Sequence, residues 1–249
     1  MKTTARLMLS ALCLGAGLLG GLDASATTPG PTRVIQCPGS AELRQAPSIN
    51  SGNTFGATFW TDGYMVAPML PQFPAITRCT TDGPFFWVSS AQVVGRFQPG
   101  QRHPAPPQAW LDAPVVRALT GDEFLQAIAQ GLGETADRLS HLRHRVWWEA
   151  NHAHRRATEV QDPTSESDFP PGSATRANLE ALLASLEESD PEQLLTKIEA
   201  LRELARFDEA DRLLASAALQ DGPLQPWVRL IRERVRLRDA RVTRLKTER

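Results

Sequence analysis

The chain has 249 residues, of which 27 are Lys or Arg and 28 are Asp or Glu, so its formal net charge is −1. Neither bulk binding to nucleic acid nor general adhesion to anionic membrane surfaces follows from this balance. The length allows one large domain or two modest ones.

Residues 1–26 have the pattern of an export signal. Lys2 and Arg6 form a short basic start, an apolar run extends from Leu7 to Leu22, and Ala24-Ser25-Ala26 offers small side chains to signal peptidase. We expect cleavage after Ala26. A membrane anchor is the alternative, but the run contains glycines and is shorter than the roughly 20 residues that span a bilayer. The mature protein is therefore expected in the periplasm or outside the cell, with no transmembrane segment.

The composition changes along the mature chain. Residues 27–96 are rich in Gly, Pro, Thr and aromatic residues, residues 97–119 form a proline-rich connector, and residues 120–249 are dominated by Leu, Ala, Glu and Arg at helical spacing. The predicted fold class is α+β, with a small strand-rich module followed by an all-α region.

The strand-rich module contains a hairpin signal. Two predicted strands, Thr54–Trp60 and Tyr64–Met69, flank Asp62-Gly63, a pair that readily adopts the positive φ angles of a tight turn. Phe85–Ser89 is a further short strand. So few strands bury little apolar surface, so a covalent or metal cross-link is expected.

The cysteines suggest what that cross-link is. Cys13 lies in the export signal, which leaves Cys37 and Cys79 at the two ends of the module. Zinc ribbons place a C-x-x-C turn at each of two such points, because four thiolates close a tetrahedral site. Here Ser40 and Asp82 stand at the second cysteine position of each turn. These four groups make a poor structural zinc site, so no metal or other cofactor is expected.

The module resembles an uncharacterised bacterial family in which a C-P-x-C … C-x-x-C module precedes helical, repeat-like segments. The resemblance implies a zinc-ribbon-like fold, and it implies no activity. The departures at Ser40 and Asp82 remove the metal-binding part of that implication. The similarity rests on Cys37-Pro38, Ser51–Ala57, Trp60–Gly63, Ala67–Pro71 and Cys79, and extends to about Val242.

A disulfide between Cys37 and Cys79 follows from these observations. The two turns bring the cysteines together, and export places them where disulfides persist. Closing a loop of that length stabilises a fold by about 4 kcal/mol in the chain-entropy model. Two unpaired buried thiols are the alternative.

Helix signals begin at Thr120-Gly121-Asp122-Glu123, which is a capping box. Further helices are predicted around Leu139–Ala150, around Leu179–Leu186 and after Asp190-Pro191, and a last one from Trp227 to about Leu245. Because these signals are local, we expect a fragment from about Ala118 to Arg249 to fold on its own.

One helical hairpin, Pro191–Gly222, resembles a tetratricopeptide repeat. Lys197 and Ala205 depart from the motif, which prefers an apolar residue and a glycine there. An ordinary helical bundle is the alternative. The similarity rests on Leu194, Leu201, Ala205–Ala210, Leu214 and Ala217.

Charge is unevenly distributed in this region. Nine basic and three acidic residues lie between Arg229 and Arg249, whereas Glu180–Glu192 holds five acids and no base. A solvated face, paired with the acidic stretch, is one interpretation. A docking surface for an acidic partner or for lipid headgroups is the other.

Candidate catalytic residues are missing. His141, His144, His152 and His154 cluster in sequence without an acidic or sulfur ligand at consistent spacing, and Trp147-Trp148 is typical of a core residue with an exposed neighbour. No nucleophile elbow, phosphate-binding glycine loop or H-E-x-x-H motif occurs. We therefore do not expect an enzyme.

Two hypotheses of different class remain. The preferred one is an exported interaction or scaffold protein, whose helices bind a protein or peptide partner. The alternative is a metal-handling protein in which Cys37, Cys79 and Asp82 bind zinc or copper.

Overall fold

The computed structural model describes residues 27–160, 169–216, 219–220 and 222–245, without the side chains of residues 157–160. The predicted export signal, residues 1–26, lies outside these described residues. The described chain is mixed α and β, with small separate sheets followed by helices. Over the same ranges, no helix combines the length and the apolar character needed to cross a membrane.

The strands are short and antiparallel. They pair in four sheets, with the orders β1-β4, β3-β2-β9, β5-β6 and β7-β8. Strand β2 lies at the centre of the three-stranded sheet, and its Val34 and Ile35 are fully buried. The strands are β1 Thr28–Pro29, β2 Thr32–Gln36, β3 Leu43–Ala46, β4 Ile49–Ser51, β5 Thr58–Phe59, β6 Met65–Val66, β7 Ile76–Thr77, β8 Phe86–Trp87 and β9 Gln92–Phe97.

The predicted disulfide is confirmed. Cys37 follows β2 directly, Cys79 lies shortly after β7, and their Cα atoms are 6.2 Å apart. The turn after Cys37 is closed by protein hydrogen bonds: the Ser40 N–H donates to the Cys37 carbonyl over 3.2 Å, and the Ser40 hydroxyl accepts from the Glu42 N–H over 2.9 Å. Asp82 is exposed. The bond ties the three-stranded sheet to the β7-β8 pair.

The Asp62-Gly63 hairpin forms, with shorter strands than predicted. Gly63 has φ +78°, and the Trp60 N–H donates to the Tyr64 carbonyl over 2.9 Å. Strand pairing is confined to β5 and β6, because the residues on either side form turns. The Ala57 N–H donates to the Thr54 carbonyl, and the Leu70 N–H donates to the Ala67 carbonyl. The predicted strand at Phe85–Ser89 is β8, which passes at Val88 into a short 3₁₀ turn.

The helices start where their capping signals predict. The Thr120 hydroxyl accepts from the Glu123 N–H over 3.3 Å, and the Glu123 carboxylate accepts from the Thr120 N–H over 3.0 Å, which completes the capping box. Asp190 caps the helix that begins at Pro191. The helices are α1 Gln108–Leu111, α2 Gly121–Ala129, α3 Ala136–Val160, α4 Ala174–Leu183, α5 Pro191–Glu203, α6 Phe207–Leu214 and α7 Gln225–Arg236.

The predicted last helix to about Leu245 is wrong beyond Arg236. Arg238 has φ +50°, which ends the helix. Residues 239–245, here called the return segment, run back along the hairpin. The Thr61 N–H donates to the Thr243 carbonyl over 2.9 Å, and the Leu245 N–H donates to the Phe59 carbonyl over 2.8 Å. Val242 and Leu245 are buried there, although their spacing also fits a helix.

The two halves of the chain share a core. Ile76 and Phe85 of the strand-rich module pack with Phe124, Leu142 and Val146 of the helices. The helical half also has a larger core of its own, which includes Leu182, Ile198 and Val228, so independent folding of a fragment from about Ala118 stays a prediction.

The end of the proline-rich segment, residues 97–119, packs against the three-stranded sheet. Val115 forms a parallel bridge with Gln45, and the Val116 N–H donates to the Gln45 carbonyl over 2.8 Å. Val116 and Leu119 are buried. The segment therefore joins the sheet to the helices through a continuous set of contacts.

Candidate functional site

Asp62 of the hairpin turn is buried against helix α3. Its Oδ2 accepts from the Asn151 side-chain amide over 2.9 Å and forms a close ion pair with the Arg155 guanidinium. The Trp148 indole N–H donates to the Asp62 backbone carbonyl over 3.0 Å. A residue predicted only as a turn former thus anchors the hairpin to the helices.

Asn151 extends this contact to Glu203 of α5. Its amide nitrogen also donates to Glu203 Oε2 over 3.0 Å, and the Trp147 indole N–H donates to the same oxygen over 2.6 Å. Burial, together with the charges of Glu199 and Asp62, raises the pKa of Glu203 well above its ordinary value. Burial also raises the pKa of Asp62, although Arg155 opposes the shift. The protonated form of Glu203 is thereby favoured.

Arg202 fixes the return segment. Its guanidinium is fully buried, pairs with Glu199 with an Nε to Oε2 distance of 2.8 Å, and donates to the backbone carbonyls of Asp239 and Arg241, the latter over 3.0 Å. The Thr61 hydroxyl accepts from the Thr243 N–H over 3.0 Å. A buried charge is tolerated only when it is paired and hydrogen-bonded, so these contacts determine where residues 239–245 lie.

A cleft of about 580 Å³ opens above this network and is here called the basic cleft. The hairpin, the end of α3, α7 and the return segment form its walls. Five of its lining residues are arginines, and Asp239 is the acid among them. The lining residues are Thr58, Trp60, Tyr64, Val66, His152, His154, Arg155, Arg156, Arg234, Asp239, Arg241, Val242, Thr243 and Arg244.

Several cations of the basic cleft are held in place by the protein. The Arg155 guanidinium lies over the Tyr64 ring at 4.2 Å from its centroid and donates to the Trp148 carbonyl over 2.8 Å. Arg241 Nε pairs with Asp239 at 2.8 Å, and this contact raises the pKa of Arg241. Fixed cations lose little conformational entropy when an anion binds, so the cleft is preorganised for negative charge.

Arg244 and Arg156 lie at the rim of the basic cleft. The Arg244 guanidinium donates to the Thr58 hydroxyl over 3.1 Å, and both arginines are exposed. Rim charges of this kind steer an oppositely charged ligand more than they hold it.

A second cleft of about 600 Å³ adjoins the first and is here called the apolar cleft. Phe59 and Trp227 meet edge to face in its wall, with ring centroids 6.0 Å apart. It shares Arg234, Thr243 and Arg244 with the basic cleft. Its other lining residues are Pro226, Arg229, Leu230, Glu233 and Leu245.

The four clustered histidines lie in different environments. His141 contacts the Trp87 ring, His144 Nδ1 lies 2.8 Å from the Ser140 carbonyl oxygen, and His152 Nδ1 lies 3.0 Å from Glu149 Oε2. His154 is buried at the basic cleft, and burial with the nearby Arg241 charge lowers its pKa. In the described part of the chain, no group of three or more His, Cys, Asp or Glu side chains is placed to hold a metal ion.

The two tryptophans differ less than the sequence predicted, because Trp148 is not exposed. Trp147 is fully buried in the helical core and donates to Glu203. Trp148 is half-buried and contacts the ring of Tyr64 at a centroid distance of 5.6 Å. Both therefore belong to the structure that supports the basic cleft.

The arginine-rich C-terminal stretch does not pair with the acidic stretch in the described residues. Glu180 pairs with Arg176 and Glu188 with Lys197, while Arg238 pairs with Asp208 at 3.2 Å. Other arginines of the stretch line the two clefts.

The sequence interpretation missed that Asp62, Asn151 and Arg155 support the site. The visible signal was the spacing of Trp147, Asn151 and Arg155, which continues one face of α3 with polar side chains.

No family model matches the chain, and no curated protein or solved structure matches it either. The chemistry of the clefts is therefore the basis for a functional proposal. That chemistry is a fixed group of cations beside an apolar wall.

Proposed function

We propose that the protein is an exported interaction protein whose basic cleft binds an acidic segment of a partner protein. The observation that carries this proposal is the set of five arginines in one cleft, three of which form ion pairs with Asp62 or Asp239. Arginine presents a planar fork of donors that matches carboxylate oxygens in pairs. A local cluster of this kind suits an acidic peptide better than nucleic acid, because the chain as a whole has a net charge of −1.

The architecture behind this proposal is a degenerate zinc ribbon followed by a tetratricopeptide-like hairpin. The disulfide joins the two turns that zinc would join in a ribbon. Ala205, between α5 and α6, has φ +61°, a conformation that glycine adopts most easily and that the repeat motif assigns to glycine. These two local features support the family resemblance.

Export is the second part of the proposal. A disulfide persists in an oxidising compartment, which agrees with the leader pattern of residues 1–26. N-terminal sequencing of the protein from its native source should begin near Thr27 in an extracytoplasmic fraction. Recovery of Met1 from the cytoplasm would contradict export and leave the cleft proposal standing.

The metal-handling alternative requires the disulfide to open. Cys37 and Cys79 are bonded to each other, and Asp82 is exposed. Metal analysis of the purified protein before and after reduction separates the two proposals. Stoichiometric zinc or copper bound to the reduced protein, with no peptide binding by the oxidised protein, would favour metal handling.

Peptide binding is the direct test. A fluorescein-labelled, glutamate-rich peptide should bind the mature protein in an anisotropy titration, and added salt should weaken it because exposed charges are screened. Replacing Arg244 at the rim by glutamate should weaken binding about tenfold, mainly by slowing association. The matched control is Arg236→Glu, an exposed charge reversal on α7 outside both clefts. Equal losses in the control and the rim variant would overturn the assignment of the cleft.

A further inference from the structure

We infer that the partner segment is an extended peptide with a bulky apolar side chain beside its acidic residues, and that this side chain enters the apolar cleft. The inference rests on the proposed function. Its basis is the position of the apolar cleft, which lies directly beside the basic cleft. The same residues form the border of both clefts.

The shared residues lie in the return segment and on α7. Thr243 and Arg244 border both clefts, and Arg234 reaches both from the helix. A ligand whose anionic group contacts Arg244 therefore has the apolar cleft within reach of its adjacent groups. In a peptide, those groups are the neighbouring side chains.

The wall of the apolar cleft contains large side chains that are only partly covered. Phe59, Trp227 and Leu230 are half-buried, and Phe59 and Trp227 already meet edge to face. Aromatic walls of this kind receive another aromatic or aliphatic side chain with favourable ring geometry. The rim carries Arg229 and Glu233, so the apolar surface is bordered by polar groups, as in a protein-binding pocket.

The backbone of the return segment favours a peptide over a lipid. Thr243 and Leu245 direct their backbone groups towards the hairpin, where they bond with Thr61 and Phe59. In an extended segment, alternate residues direct these groups to opposite sides, so those of Arg244 face away from the hairpin. An extended peptide can pair with them as an added strand, whereas a lipid chain cannot.

The test compares two labelled peptides that differ at one position. Both carry the same glutamates, and one has tryptophan where the other has serine. For the native protein, we expect the tryptophan peptide to bind about tenfold more tightly, because burial of a large apolar side chain adds affinity. In Leu230→Ser, this preference should shrink towards equal binding. The matched control is Leu237→Ser. Leu237 is 62% exposed and lines neither cleft, so this variant should keep the preference for the tryptophan peptide.

The outcomes separate this inference from the proposed function. Equal affinity of both peptides for the native protein would overturn the inference and leave the acidic-segment proposal intact. A preference that persists unchanged in Leu230→Ser would overturn the assignment to the apolar cleft. Failure of both peptides to bind, with binding to vesicles of anionic lipid, would overturn both. Thermal melting of each variant checks that it is folded.

Discussion

Asp62 and Arg155 form a buried ion pair across 93 residues of sequence, between the turn of a hairpin and the end of a long helix. The pair lies directly beneath the basic cleft and holds one of its cations in place. The structure of the site and the stability of the protein are therefore linked at this contact.

Loss of the Arg155 charge should destabilise the protein. In Arg155→Met, we expect the free energy of unfolding to fall by about 3 to 5 kcal/mol near neutral pH, because Asp62 is left as a buried, uncompensated charge. Burial already raises the pKa of Asp62. The variant should therefore recover stability as the pH falls and Asp62 binds a proton.

Urea unfolding at several pH values measures this effect. The matched control is Arg156→Met, the exposed neighbour, which should change stability by less than about 0.5 kcal/mol. Adding Asp62→Asn to Arg155→Met should restore part of the loss. A pH-independent loss would mean that Arg155 acts through packing against Tyr64 rather than through charge.

Replacement of Glu203 by glutamine should have little effect at acidic pH and a favourable effect at higher pH. The pKa of Glu203 is raised in the folded protein, so its contribution is present below the ordinary value of 4.5 and is lost as pH rises through the folded-state pKa. The difference in unfolding free energy, native protein minus Glu203→Gln, should therefore fall as the pH rises above 4.5. A difference that stays flat above this pH would show that the pKa of Glu203 is not raised.

Removal of the disulfide should destabilise the protein without melting its helices. Cys37 and Cys79 are 42 positions apart, and the chain-entropy model for a loop of that length predicts a contribution of about 4 kcal/mol. The double replacement by serine should lower the unfolding free energy by about 2 to 5 kcal/mol while the far-ultraviolet circular dichroism keeps its helical signal. A reducing agent should shift the native protein to the same midpoint and leave the variant unchanged. Two alkylated thiols in the unreduced native protein would refute the bond.

A fragment from about Ala118 to Arg249 should retain helical signal and melt at a lower temperature than the mature chain, because it keeps the helical core but loses contacts with the strand-rich module. It lacks Ile76 and Phe85, which pack on Phe124 and Leu142, and it lacks Asp62, which pairs with Arg155. Calorimetry of the fragment beside the mature chain measures the difference. A sharp transition in the fragment at the temperature of the mature chain would show that the shared core contributes little.

Local features of the fold were predictable from sequence. Two of these features depend only on neighbouring residues: the capping box of Thr120 and Glu123, and the turn at Asp62-Gly63. The disulfide was predictable because Cys37 and Cys79 are the two cysteines that remain after the export signal. The return segment was mispredicted because Val242 and Leu245 have a spacing that fits a helix and also fits a buried extended chain.

The site was predicted only as an excess of basic residues. Helical spacing identifies α3 but does not show which of its polar residues face inwards, and Asn151 and Arg155 read as solvent-facing when only the apolar stripe is followed. Their partner Asp62 is already accounted for as a turn-forming residue of the hairpin. When each of two residues is explained by its own local structure, a single sequence gives no sign that they contact each other.

The contact between Thr61 and Thr243 joins residues 182 positions apart. Non-local pairings of this kind form late in folding, because a long loop must close first. The surface that we assign to partner binding is consequently absent until the return segment has docked on the hairpin and completed both clefts. Recognition of a partner would in this way be restricted to molecules in which this long-range contact has formed.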